Sequence, residues 1–404
     1  MEQAAIKQRL QTKIFGHHSA KQFNAYSQSV LKKLSECHTV KLGMHLYQCN
    51  ACYHQHYQYH SCGNRHCPNC GGLKREQWLQ DRMSELLPTT YFHIVFTLPQ
   101  ELRSLAMGNR KVVFSLLFEA STYTLRKLGQ DEKYLGGTQG IISILHTNGQ
   151  DLSFHPHVHC IVSGGGIDKA GNWKKEKRAS GNFLFPRKAM EKIYKCYFLE
   201  KLLHLKNTKQ LKIEDETSFE KTLQTVRFKK WNVHAKRPFG GPQQVLAYLG
   251  RYTHKVAITT HRILQISETE ITFKYKDYKD GNKPKEMTLS HEEFLRRFEQ
   301  HILPKGFVKI RHSGFLSHQN KTARLENICQ QLKIAPPAPK VKLPVAVLAM
   351  MKYGVDIGLC SVCKTGRIER VASYINIAKE GVQLVNVSEL QNRGSPRKLQ
   401  RAAV

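Results

Sequence analysis

Two stretches of this sequence hold side chains that could act together on a phosphodiester. The first is FHPHVHCIVSGGG, Phe154–Gly166, with histidines at 155, 157 and 159. On a strand, residues two apart face the same way, so His157 and His159 point together with Val158 turned behind them. Two imidazoles so placed can grip one divalent ion, with a third ligand supplied from elsewhere. The plain alternative is a half-buried strand with a polar face, and the histidines alone do not exclude it. Pro156 marks a strand edge or entry, which leaves His155 less securely aligned than its neighbours. The glycines that follow are expected to end the strand.

The second stretch is AYLGRYTHKVAI, starting at Ala247. Tyr248 and Tyr252 are four apart, so on a helix they lie on one face, about 6 Å apart at Cβ. Tyrosines at this spacing usually pack in a core. Here they stand among Arg251, His254, Lys255 and Arg262, which reads as a phosphate-binding, DNA-contacting surface. A phenol with a pKa of about 10 is a poor nucleophile in neutral water. A cation on the phosphate, with basic residues stabilising phenolate, would offset that deficit. Together the two stretches describe a phosphodiester transesterase. A tyrosine attacks phosphorus, leaving a 5′-phosphotyrosine bond and a free 3′-hydroxyl. A second tyrosine allows two covalent strands to be held in turn.

Cysteine supplies a different chemistry. Six of the eleven cysteines crowd between Cys37 and Cys70. Cys49-x2-Cys52, fourteen residues, then Cys67-x2-Cys70 is the four-thiolate spacing of a structural zinc site. Cys37, His45, Cys62 and His66 remain for a second zinc, unless Cys62 or His66 substitutes in the first. His54, His56 and His60 read as surface residues. A module this small folds chiefly through its metal.

These residues must be positioned by regular elements. Helical spacing covers residues 20–36, Leu73–Leu87, Arg110–Leu128, Pro186–Leu205, Pro242–Lys255 and His291–Leu303. Tyr91–Pro99 (YFHIVFTLP) reads as a buried strand ended by proline, and Val226–Lys236 as another. Strands starting at Gly140 and His155 are joined by an Asn148–Gly149 turn, a hairpin signal. Ile263–Leu289 reads as a meander turning at Asp280–Gly281. Ala335–Pro344 (APPAPKVKLP) is a proline-rich linker, followed by a lone Cys360/Cys363 pair and a disordered basic tail. The irregular alternation predicts an α+β fold, an antiparallel sheet with helices packed on it.

Lys and Arg number 63 against 31 Asp and Glu, a formal charge of +32 distributed along the 404 residues. A folded chain this basic is expected to meet a polyanion, nucleic acid first. No stretch approaches the ~20 apolar residues of a membrane span, and the polar N-terminus lacks the apolar core of a signal peptide. A cytoplasmic protein without membrane partners is therefore expected.

At this point the chain resembles the rolling-circle insertion-sequence transposases of the two-tyrosine HUH class, IS ninety-one type. The matching segments are SCGNRHCPNC (Ser61–Cys70), YFHIVFTLP, HPHVHCIVSGGG, the run Val233–Ile263, FKYKDYKDG and Leu303–Ser317. The resemblance implies an HUH endonuclease-like antiparallel sheet preceded by a small zinc-binding module. It implies His157 and His159 as metal ligands on a central strand and Tyr248 and Tyr252 as nucleophiles. FTLP, Phe96–Pro99, matches a strand motif beside the active site. The third metal ligand is sought among His155, Gln244 and His146, in that order. Mg²⁺ or Mn²⁺ is implied at this site, Zn²⁺ in the module, and single-stranded or hairpin DNA at element ends as the partner. Self-association is compatible with the reading. The implied setting is the prokaryotic cytoplasm, in association with the nucleoid. The expected division is 1–88 zinc-binding, 89–320 transposase/nuclease, and 321–404 linker and tail. A plasmid or phage replication initiator or relaxase would use the same chemistry. A non-catalytic zinc-dependent DNA-binding regulator, with the tyrosines as packing residues, is the reading from a different class.

Overall fold

A computed structural model of the chain describes residues 2–176, 184–236, 239, 241, 244, 245, 248, 250, 257–277, 280–377 and 381–385. Among these, no helix is long and apolar enough to cross a membrane. The chain begins with α1 (Glu2–Arg9), which runs into a π-helical turn at Leu10–Phe15, and α2 (Ala25–Ser35). Asn24 caps α2 by accepting the Ser27 N–H at 3.0 Å, and Val30, Leu31 and Leu34 form its buried stripe. Strands β1 (Met44–Cys49) and β2 (Gln55–Tyr59) form a hairpin, and α3 (Gly72–Met83) follows.

The central sheet is antiparallel. Its strands are β3 (Tyr91–Thr97), β4 (Thr138–Asn148), β5 (Phe154–Ile167), β6 (Trp173–Lys175), β7 (Val233–Ala235) and, much later, a strand at Ile310–Gly314. The last of these pairs with β4, then β5, β3 and β7 follow in order, with β6 paired to β5. One face of the sheet is dry. Phe92, Ile94, Phe96, Leu145, Val158 and Val162 pack there against Phe114 and Leu117 of α5 (Arg110–Gln130) and Tyr194 and Phe198 of α6 (Arg187–Asn207), following α4 (Arg103–Gly108). Truncating such a residue, as in Leu117→Ala, costs about 2–5 kcal/mol. The opposite face carries Ile142, Ile144, Ile161 and Tyr91, together with the histidines. Period-two alternation thus sorts hydrocarbon to one side and chemistry to the other.

Three sequence expectations are corrected. The β4–β5 connection is not a two-residue Asn148–Gly149 turn but a loop, closed by Gly149 N–H donating to Ser153 O at 2.9 Å, with Leu152 at φ 62°. The glycine run does not end β5, which continues to Ile167; a side chain at Gly165 would collide with the indole of Trp173. Val226 lies not in a strand but in α7 (Glu216–Phe228), where Phe219, Leu223 and Val226 are buried and Asp215 caps Thr217 and Ser218. Its β-branched side chain was outweighed by this helical stripe.

The meander appears as β8 (Ile263–Ile266), β9 (Glu270–Asp277) and β10 (Lys283–Ser290), followed by the helix His291–Glu299. Their core includes Ile6, Leu10 and Leu31 from the N-terminus with Phe273, Phe294 and Phe298. The C-terminal segment is not all tail. The helix Lys321–Leu332 packs Leu325 and Ile328 against Phe315, and a helix at Val345–Tyr353 lies beside α3. Two final strands, Ile368–Ile377 and Gly381–Val385, extend the β1–β2 hairpin into a four-stranded sheet, with Ile368–Ile377 paired to β1. Packing therefore crosses the expected boundaries near residues 88 and 320, because the outer elements fold back on the N-terminal module.

Candidate active site and cysteine clusters

Strand pairing assembles the histidines. His146 on β4 stands directly opposite His157 on β5, and Ile144 opposite His159. Cross-strand partners lie about 5 Å apart, whereas residues four apart along a strand are separated by about 13 Å. The ligand nitrogens of His146, His157 and His159 accordingly lie within 4.8 Å of one another. His155 does not join them: its Nδ1 accepts from the Arg103 guanidinium at 2.5 Å. Of the expected third ligands it is His146, and not the first-ranked His155, that lies beside His157 and His159, because pairing across the sheet brings a side chain closer than continuing along the strand.

Hydrogen bonding fixes one ring. His157 Nδ1 donates to the His155 carbonyl at 2.6 Å, which leaves Nε2 with its lone pair. Burial holds His157 down to about 4 and His155 also to about 4, and it pushes His159 well below the ordinary imidazole range. Neutral imidazole is the form that ligates metal.

Tyr248 completes the constellation. Its Oη lies 2.8 Å from His159 Nδ1 and 2.7 Å from His93 Nε2, and these two nitrogens are 2.9 Å apart. The His93 and His159 rings stack with an interplanar angle of 6°. Phe239 packs on Tyr248 with ring centroids 5.4 Å apart. Burial brings His93 down to about 3, so it too is neutral. The reading of the sequence missed His93. The signal available was one polar residue within the apolar run YFHIVF, on the same strand face as Thr97, which pairs with His157.

Tyr252, Arg251, His254 and Lys255 lie outside the described residues. Gln244 lies within them, in helical conformation as Tyr248 is. Arg262 was expected on a DNA-binding surface, but its Nε donates to Lys274 O at 2.8 Å and a terminal nitrogen donates to the Gln150 carbonyl. It clamps the loop before β5 to the meander, with its guanidinium over the Phe273 ring.

The cysteines divide differently from their spacing. Cys67 and Cys70 join Cys37 and Cys62, while Cys49 and Cys52 join Cys360 and Cys363; in each group the sulfurs lie within 4.8 Å of one another. In the first group, sulfur separations of 3.5, 3.6 and 3.8 Å match the ~3.8 Å edge of a tetrahedron with ~2.3 Å zinc–sulfur bonds. The expected set Cys49, Cys52, Cys67 and Cys70 is therefore corrected: each knuckle finds a different partner pair. The second expected set is corrected as well. His66 donates from Nδ1 to Asn64 Oδ1 and accepts the Leu303 N–H at Nε2, both at 3.0 Å, so both its nitrogens are engaged. His45 bonds Ser373 Oγ at 2.8 Å and faces His60 at 3.1 Å.

Known proteins share both regions. Residues 6–98 match the family described as "Transposase zinc-binding domain", and residues 140–324 the family described as "Putative transposase". The chain is 40% identical over 318 residues to "Putative transposase y4qJ" of Sinorhizobium fredii, covering 77% of this chain and 79% of that one. It is 30% identical over 364 residues to the transposase for insertion sequence element IS801 of Pseudomonas savastanoi pv. phaseolicola, covering 87% and 85%. Among solved structures, the conjugative relaxase TrwC in complex with oriT DNA is similar over 39% of this chain and 68% of that chain, at 13% identity and a TM-score of 0.23. Zinc module and histidine–tyrosine region alike align with one kind of protein, and the chain belongs to the IS91-type transposases with an N-terminal zinc-binding domain.

Proposed function

We propose that this transposase cleaves and rejoins single-stranded DNA at element ends, in rolling-circle transposition, with Tyr248 as a nucleophile. The observation that carries the reading is the Tyr248 hydroxyl, 2.8 Å from a histidine of the three-imidazole cluster. His146, His157 and His159 would hold a divalent cation. Three imidazole nitrogens suit a transition ion better than Mg²⁺, which prefers oxygen, so Mn²⁺ is the better fit of the two expected ions. When bound, such a cation would polarise the scissile phosphate.

The remaining roles fall to the chain itself. With His159 Nε2 directed to an ion, its Nδ1 carries the proton and donates toward Tyr248 Oη, where it steadies developing phenolate. Tyr248 O–H donates to His93 Nε2, which orients the hydroxyl, and its proton passes to water as the phenolate forms. Oη forms a bond to phosphorus as the bond from phosphorus to the 3′-oxygen breaks, and that oxygen takes a proton from water to leave as a hydroxyl. The phosphodiester energy is retained in the 5′-phosphotyrosine for rejoining. Tyr252 would serve as the second nucleophile. Zinc at Cys37, Cys62, Cys67 and Cys70 would hold the N-terminal module against the meander core, into which Cys37 and Cys67 are packed.

Incubation with Mn²⁺ and single-stranded oligonucleotides from element ends should yield a covalent adduct, which peptide mass spectrometry assigns to Tyr248. An adduct confined to Tyr252 would displace Tyr248 from its role. Absence of any adduct across varied terminal sequences would favour a non-catalytic DNA-binding regulator.

A further inference from the structure

The match to a transposase zinc-binding domain ends at residue 98, far short of Cys360 and Cys363. In the fold these two cysteines nevertheless meet Cys49 and Cys52. Cys49 Sγ lies 3.7 Å from Cys363 Sγ, and Cys52 Sγ lies 3.7 Å from Cys360 Sγ. Both separations match the ~3.8 Å edge of a tetrahedral tetrathiolate zinc site. They are far longer than the ~2.05 Å of a disulfide.

The two CxxC turns share a left-handed residue four positions after the first cysteine and a hydrogen bond from it back to that cysteine. Tyr53, four residues after Cys49, has φ 60° and donates its N–H to Cys49 O at 3.1 Å. Lys364, four residues after Cys360, has φ 58° and donates to Cys360 O at 3.1 Å. Backbone N–H groups point at the sulfurs in both: Ala51 and Cys52 at Cys49 Sγ (3.4 and 3.5 Å), and Gly366 at Cys363 Sγ (3.3 Å). Such donors stabilise thiolate ligands. A β-carbon at Gly366 would overlap Cys49 Sγ, so only glycine lets the turns close on each other. Strand pairing sets them side by side, with Cys49 opposite Ile368.

We propose that Cys49, Cys52, Cys360 and Cys363 form a second structural zinc site, a clasp that fastens the C-terminal hairpin onto the N-terminal module. The intervening strap already returns toward that module. Gln77 bonds the backbone of Val341 and Leu343, and Lys340 pairs with Glu85 at 2.8 Å. The clasp locks this return in place, and the module is complete only with residues far beyond the nuclease region.

Cobalt substitution of the full chain tests this, because thiolate-to-cobalt charge transfer reports cysteine sites and is silent for a three-histidine site. The wild type should load two tetrathiolate equivalents, and Cys360→Ser/Cys363→Ser one. One equivalent in the wild type would overturn the proposal, as would two in the double variant. So would a thiol titration showing these four cysteines paired as disulfides. The wild-type count needs no variant to fold, and the proposal stands or falls separately from the DNA chemistry. As a second readout, trypsin at Lys333, Lys340 or Lys342 should leave a C-terminal fragment that co-elutes with the rest of the zinc-loaded protein. A chelator should release it; retention despite full metal removal would count against the clasp.

Discussion

The histidine–tyrosine site and the cysteine clusters both gather ligands, but they are built by opposite means. Backbone pairing of adjacent strands fixes His146, His157 and His159, and the dry face of the sheet is sealed by Phe96, Val158 and Phe114. That site is preorganised before any ion arrives. The cysteines come from the segments 37–70 and 360–363, and around the second cluster Tyr53, Tyr57 and Val371 are exposed in place of a sealed core. There the proposed zinc would supply what packing does not. In the proposed reading, one region uses its fold to make a metal site, and the other uses metal sites to make its fold.

The sharpest way to break that contrast is to remove ligands from each region in turn. Structural zinc contributes on the order of 10 kcal/mol to small modules. Cys67→Ser should therefore unfold the N-terminal module, read by circular dichroism, whereas His157→Ala should leave the melt nearly unchanged. Equal effects would dissolve the distinction. Next in size, Tyr248→Phe should lower adduct formation by on the order of 10⁴-fold with an unaltered melt, measured by denaturing gel. A melt shifted downward would give the hydroxyl a structural role through its hydrogen bonds to His93 and His159.

Within the histidine site, His146→Ala should weaken Mn²⁺ binding by about 100-fold or more, and His155→Ala by less than about threefold, followed by titration with paramagnetic detection. The reverse ranking would restore His155 as third ligand. The smallest effect concerns acid. His301 is buried, bonded to Leu152 O at 3.1 Å, and burial holds it down at about 4. Its depressed value means that its stabilisation is present above about 6.5 and is lost as pH falls toward 4. At pH 5 the loss is about 2 kcal/mol. Thermal melts from pH 7 to 4.5 should show this decline, and His301→Gln should remove about 2 kcal/mol of it at pH 5; a chain stabilised by acid would contradict the buried neutral imidazole.

Legibility in the sequence followed the range of the interactions. Helices at Arg110–Gln130 and Arg187–Asn207 and the strand Tyr91–Thr97 were readable, because their apolar periodicity is local. The cluster histidines on β5 were readable as a pair for the same reason. His146 was visible but ranked last, because its place depends on the β4–β5 register, and the Asn148–Gly149 signal pointed to a shorter turn than the chain uses. His93 depends on β3 lying beside β5, a neighbour far off in sequence. The cysteine spacing was read as one local tetrahedron, yet the sulfurs sort by proximity across more than three hundred residues. No local pattern carries that information.

The pairing of β1 has a further consequence. Its two edges are occupied by β2 and by the strand Ile368–Ile377. A chain that ended before residue 368 would present one edge of β1 as a row of unpaired N–H and C=O groups, a template for strands of other molecules. The late strand thus covers that edge of β1. Products of prematurely terminated synthesis should self-associate through β1, while the finished chain has that edge covered.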